Sequence, residues 1–244
     1  MSSIHRRWLV GILLAAFACA GPSALFAQQA APAQEKSVKP GINDRWRSAD
    51  IQPLVETLET ESREIYHERE ALARLVDAKP GMAVADIGSG SGFMTELFAK
   101  MVGASGRVYA VDINPKLLEH IRQRASQDGL KNIQTVLDHD TSTELPANSV
   151  DLVFLCDTYH HFEYPKAMLA SIYKALRPGG QAVLVEFHRV PGKSPEWMLE
   201  HVRAGQEVFT KEFVDAGFAF EKELDAPFFK ENYVLRFRKA EKTL

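Results

Sequence analysis

A chain of 244 residues accommodates one α/β domain with a short extension and is too short for two full ones. Its 45% hydrophobic and 25% charged content is that of an ordinary globular protein, not of a disordered or fibrous one. A net charge of −3 with no basic block excludes a surface built to track a phosphate backbone, so nucleic acid is not an expected partner.

Residues 1–27 read as a secretory signal. His5-Arg6-Arg7 supplies the charged start, Trp8 to Cys19 the apolar core, and Leu25-Phe26-Ala27 a small-residue cleavage point before Gln28. That core is shorter than a membrane span needs, so export to the periplasm is expected, with an uncleaved anchor as the alternative. Arg6-Arg7 hints at a twin-arginine route, although the rest of that motif is poor. Beyond the signal only Cys156 remains, which rules out an intramolecular disulfide. The Ala/Pro/Gln-rich stretch opening 28–43 reads as a linker. Residues 44–78 read as a helical cap, with Leu54, Leu58, Ile65, Leu72 and Leu75 on its apolar side and Tyr66 and Arg69 as residues to set over a ligand.

From residue 79 to the end the pattern alternates strand and helix, as in a parallel sheet. Strands are expected near 83–87, 107–112, 133–137, 150–156 and 181–187, followed by a helix ending at Gly217 and two strands at 219–224 and 233–238. The first strand runs into Asp86-Ile87-Gly88-Ser89-Gly90-Ser91-Gly92 and then a helix-like segment. Alternating glycines permit a tight turn and close approach of backbone to a ligand. The preceding acid suits a cofactor with a cationic ammonium and sulfonium better than an anionic pyrophosphate, and so favours S-adenosylmethionine over NAD. Asp112 closes the second strand 20 residues after Gly92, where a carboxylate accepts hydrogen bonds from ribose hydroxyls. Gly88-x-Gly90-x-Gly92 also lacks the two-residue gap of the dinucleotide fingerprint.

Downstream, Asp151-Leu152-Val153-Phe154 makes a buried strand, and Leu176-Arg177-Pro178-Gly179-Gly180 stops a helix and turns the chain into the next one. With these pieces in order over residues 79–190, the chain resembles the class I S-adenosylmethionine-dependent methyltransferases, the ubiquinone-biosynthesis type above all. The resemblance implies a Rossmann-like sheet of seven strands in the order 3-2-1-4-5-7-6, with helices on both faces and a C-terminal antiparallel hairpin. It implies S-adenosyl-L-methionine as cofactor, held by Asp86, Gly88, Ser89, Gly90, Gly92, Asp112, Ile113 and Cys156. It also implies Asp140, with Asp138 close behind, for the adenine amino group. Cys156 is read as a small lining residue at a strand end, because methyl transfer needs no enzyme nucleophile.

Methyl transfer is an in-line displacement at an activated carbon, so alignment and removal of the acceptor's proton are what remain for the protein. His160 and His161, after the fourth strand, and His188, after the fifth, are the candidate bases. Asp157, Glu186 and these histidines also suit a divalent ion, but no compact His-x-x-x-His spacing is present and no metal is expected. Trp197, Met198, Phe228, Phe229, Tyr233 and Phe237 are apolar candidates for lining an acceptor pocket, and 192–197 for a lid. The acceptor is expected to be a small molecule with a hydroxyl, phenol or thiol. Export leaves open how a cytoplasmic cofactor is supplied, and a non-catalytic envelope binding protein with this fold is the alternative. An NAD-dependent oxidoreductase is disfavoured by the loop spacing and by the lack of a Tyr-x-x-x-Lys pair.

Overall fold

The structure, a computed structural model, describes residues 35–48 and 50–240. The expected signal at 1–27 and residues 28–34 of the linker lie outside the described residues. Among the described residues no helix is long and apolar enough to cross a membrane.

Five parallel strands follow from apolar, β-branched runs: β1 (Ala83–Ile87), β2 (Arg107–Asp112), β3 (Ile133–Leu137), β4 (Val150–Cys156) and β5 (Leu176–Phe187). β6 (Phe218–Glu223) and β7 (Asn232–Lys239) form the closing hairpin, and β7 runs antiparallel to both β5 and β6. The seven-stranded order is β3-β2-β1-β4-β5-β7-β6, as the resemblance implied. Side chains alternate between the faces of the sheet. Ala85, Val153, Leu155 and Leu184 join one core cluster, while Val84, Leu152, Phe154 and Val183 join another. Helix α5 (Phe93–Val102) buries Met94, Phe98 and Val102 in the second cluster. Helices α7 (Pro165–Ala175) and α9 (Gln206–Asp215) bury Met168, Leu169, Ile172, Phe209 and Phe213 in the first.

The segment expected as a helical cap is made of four short helices: α1 (Asp44–Ser48), α2 (Ile51–Leu58), α3 (Glu64–His67) and α4 (Arg69–Val76). Asp50 caps α2 with its side chain on the Gln52 amide, and α4 ends at Asp77 in the left-handed region at φ 64°. The Pro-Gly-Gly segment, expected as a turn ahead of β5, is a bulge within it. Val150 pairs with Leu176, and the register then jumps so that Leu152 pairs with Gln181. Gly179 takes φ 76° there, and a Cβ on Gly180 would stand 2.9 Å from the Arg177 carbonyl, so glycine is required at the bulge.

Residues 35–43, expected within the linker, are pinned to the domain. Glu35 accepts the amides of Lys166 (2.9 Å) and Ala167 (2.8 Å) at the start of α7, and Ser37 Oγ donates to Glu163 at 2.7 Å. Lys39 Nζ donates to the carbonyls of Glu200 (2.7 Å) and His201 (2.6 Å).

Candidate functional site

The sheet's strand order reverses between β1 and β4, and a cleft partly open to solvent lies at the carboxyl ends of the strands there. Asp86, Gly88, Ser89, Gly90, Asp112, Ile113, Asp140, Cys156 and His161 all line it, as do Asn43, Trp46, Leu58 and Arg63 from the cap. Gly92 stands at the N-cap of α5 with φ 88°; a Cβ there would meet Ile121 at 2.6 Å, so its role is to bring the loop against helix α6 (Pro115–Gln127). Gly88 is closed in likewise, with a Cβ position 2.3 Å from the Thr158 side chain after β4.

Four of the five amides of the glycine loop are engaged within the protein. Gly88 N–H and Ser89 N–H both donate to the Val111 carbonyl (2.8 and 3.0 Å), Gly90 N–H to Asp112 Oδ2 (2.9 Å), and Gly92 N–H to the Ser89 carbonyl (2.9 Å). A phosphate cradle needs such donors free. This cleft instead offers acids. Asp86 accepts from Thr95 Oγ1 at 2.6 Å, and burial, with the charge of Asp112 adding, pushes its carboxyl up to about 7. Asp112 also accepts the Asn114 amide at 2.8 Å, and burial raises it to about 6. Burial and then the Asp112 charge push Asp138 up to about 8, and its Oδ1 is buried with no hydrogen-bond partner. Three buried carboxyls held above their ordinary range by desolvation mark a place where a cation is favourable. Asp140 differs, since it forms an ion pair with Arg47 of α1. Burial pushes the Cys156 thiol up, which keeps it an uncharged wall of the cleft.

The three candidate histidines occupy different environments. His161 lines the cleft, with the Trp46 ring edge-on at 5.6 Å and its own Nδ1 buried without a partner. Burial, reinforced by His160 and His201, lowers His161 to about 2, so it is a neutral imidazole at physiological pH. His160 does not line the cleft. It is 1% exposed, its Nδ1 lies 2.8 Å from Glu186 Oε2, and its amide donates to Glu186 Oε1 at 3.0 Å. His188 is separate from both, its ring beside Tyr233 at 5.3 Å and its amide on the Glu231 carbonyl.

Other residues singled out in the sequence stand away from the cleft or serve the core. Arg69 covers the Tyr66 ring at 4.2 Å, and Tyr66 packs on Phe93, so neither lines the cleft. Phe237 stacks on Phe213 in the core and Trp197 is half-exposed against Phe187. Reading from sequence missed Arg63, which donates to Asp157 Oδ2 at 2.6 Å across the mouth of the cleft. Asp157 itself sits at φ 48°, a strained conformation for a non-glycine residue, and is held there by Arg63, by Asn232 Nδ2 (2.6 Å) and by its own amide on the Val185 carbonyl. No local signal marks Arg63, because its partner lies on a distant strand end.

An open sheet with an acid-lined cleft at its switch point, and a glycine loop with four of its amides already engaged, is suited to a nucleoside cofactor of the S-adenosylmethionine kind. Residues 85–184 match the family described as "Methyltransferase domain". Among curated proteins the chain is 34% identical over 113 residues to the ubiquinone/menaquinone biosynthesis C-methyltransferase UbiE of Hydrogenovibrio crunogenus, across 46% of this chain and 44% of that one. The chain thus spans less than half the length of the curated relatives it matches. Among solved structures, an S-adenosylmethionine-dependent methyltransferase from Aquifex aeolicus aligns with TM-score 0.68 at 23% identity, over 78% of this chain and 99% of that one. The [4+2]-cyclase SpnF aligns with TM-score 0.62 at 15% identity, over 72% and 82%. Residues 85–184 thus match the methyltransferase domain family, and the sheet around them has the fold of the solved methyltransferase with which it aligns.

Proposed function

We propose that the whole protein is an enzyme that moves the methyl group of S-adenosylmethionine to a small-molecule acceptor bearing an ionisable hydroxyl, phenol or thiol. The observation that carries this reading is the set of three desolvated acids, Asp86, Asp112 and Asp138, around a loop with four engaged amides. In this reading Asp112 holds the ribose hydroxyls, Asp138 takes the adenine amino group, and Asp86 sits towards the cationic end of the cofactor. Gly88 and Gly90 shape the loop by making room for Thr158 and Leu58, and Ile113 and Cys156 flank the cofactor. The bound cofactor supplies an electrophilic methyl carbon on sulfonium sulfur. What the chain adds is desolvation, orientation and a place for the acceptor beside His161, Trp46 and Arg63.

Relatives named C-methyltransferases fit a phenolic acceptor as well, since a phenolate carries nucleophilic density on its ring carbons and on oxygen. The test is to incubate the full chain with methyl-labelled S-adenosylmethionine and a panel of phenols, alcohols and thiols, with calorimetric titration of S-adenosylhomocysteine and NAD alongside. Label transfer to one acceptor class, with binding of the first nucleoside and not the second, is expected. Binding without transfer to any acceptor would favour a non-catalytic binding protein. We also propose export, on the His5-Arg6-Arg7 and Trp8–Cys19 pattern. Fractionation of cells should place the protein in the periplasm, and recovery in the cytoplasm alone would overturn that.

A further inference from the structure

The turn Tyr159–His161 and helix α8 (Glu196–His201) bring three imidazoles together from separate parts of the chain. The rings of His160 and His161 lie 4.4 Å apart by centroid, those of His160 and His201 4.9 Å, and those of His161 and His201 5.0 Å. One ring nitrogen from each falls within 4.8 Å of the others. Three nitrogens at the usual zinc bond length of about 2.0–2.1 Å stand roughly 3.3 Å apart, so side-chain adjustments of about an ångström close the set.

Two further features point to an ion. Glu186 accepts from Nδ1 of His160, which leaves the ring's lone pair on Nε2; a carboxylate behind an imidazole is the usual way a metal-binding histidine is oriented. Nδ1 of His161 is buried and has no hydrogen-bond partner among the described residues. A histidine packed only for its bulk would find a partner for such an atom. The ammonium of Lys39, on the carbonyl of His201, and the nearby Arg45 guanidinium oppose a cation there, and the Glu186 carboxylate counters them in part.

We propose that His160, His161 and His201 hold one divalent transition-metal ion of the zinc class, with Glu186 as the backing carboxylate. Imidazole donors suit zinc, copper, nickel or iron and disfavour magnesium or calcium, which take oxygen ligands. Three protein ligands leave a coordination position for water or an acceptor heteroatom, and His161 places the site against the cleft. Ion binding is read directly, whether or not methyl transfer is detected.

The full chain, purified without a histidine tag and stripped with a chelator, is titrated with Zn²⁺ by calorimetry and with Co²⁺ by visible absorption. One equivalent binding in the micromolar range or tighter is expected, with cobalt bands of low-coordinate nitrogen ligation. His201→Ala, and the bulkier His201→Gln, should each weaken Zn²⁺ on the order of 100-fold while S-adenosylhomocysteine binding persists. Glu186→Gln should weaken it by about 10–100-fold. Absence of saturable Zn²⁺ binding to the parent chain, or undiminished binding to both His201 variants, overturns the proposal.

Discussion

Asp138 and Asp140 are neighbours on one loop, yet the fold gives them opposite circumstances. Asp140 is neutralised by Arg47, while Asp138, also in the wall of the cleft, keeps a buried oxygen with no partner among the described residues. A nucleoside that donates a hydrogen bond to Asp138 relieves an unsatisfied group, whereas one that recruits Asp140 has to compete with a guanidinium. Asp138→Ala is therefore expected to weaken S-adenosylhomocysteine by about 1–3 kcal/mol and Asp140→Ala by less, read by calorimetry on both variants. A larger loss from Asp140→Ala would move the adenine contact to that residue. The family resemblance puts Asp140 first, and the reason to expect the other order is an arginine contributed by the cap. Asp86 and Asp112 were legible because each ends a strand beside the glycine loop, so chain position and spatial position coincide. His201 was illegible as a neighbour of His160 and His161 for the opposite reason: only the docking of α8 brings it there.

At the scale of elements, the centre of the sheet was readable because β1, β4 and the second half of β5 are buried, largely apolar runs. The cap was less so. Its apolar residues fit a single helix as well as four, and the breaks are set by local caps and by docking of Leu54 and Ile65. The segment 35–43 reads as linker by composition, since its contacts are mostly polar and made one at a time. Glu35 shows how such a contact acts. The N-cap residue of α7, Tyr164, provides no side-chain cap, and the Glu35 carboxylate takes the amides of Lys166 and Ala167 instead. An anion there satisfies orphan donors and complements the helix dipole. Glu35→Ala should therefore cost about 1 kcal/mol, a fall in Tm of roughly 2–4 °C for a domain of this size. An unchanged Tm would show that the segment is held by its other contacts and that Glu35 is dispensable.

For the molecule as a whole, the buried acids and buried histidines set opposite pH dependences, and one window separates them. His161 and His201 are lowered to about 2 and about 4 by burial and by neighbouring cations, so their contribution is complete above the ordinary histidine value of 6.5 and is lost as pH falls below it. Asp86, Asp112 and Asp138 are raised to about 7, 6 and 8 from 3.8, so the folded chain binds protons more tightly than the unfolded one. Their contribution is complete below about pH 4 and is lost as pH rises through those values. Between pH 6.5 and 8 the histidines are flat and the acids alone slope, so the cofactor-free chain should lose thermal stability across that interval. A sulfonium bound beside ionised carboxylates reverses the balance, because the charge that destabilises the free cleft is what attracts the ligand. The Tm increment from S-adenosylmethionine should therefore grow from pH 6.5 to 8, and grow more than that from S-adenosylhomocysteine, which lacks the sulfonium charge. Thermal unfolding with and without each nucleoside at four or five pH values measures both slopes. Parallel slopes for the two ligands would mean that the acids answer to the nucleoside's hydrogen bonds and not to its charge, and would remove the electrostatic reason for preferring this cofactor.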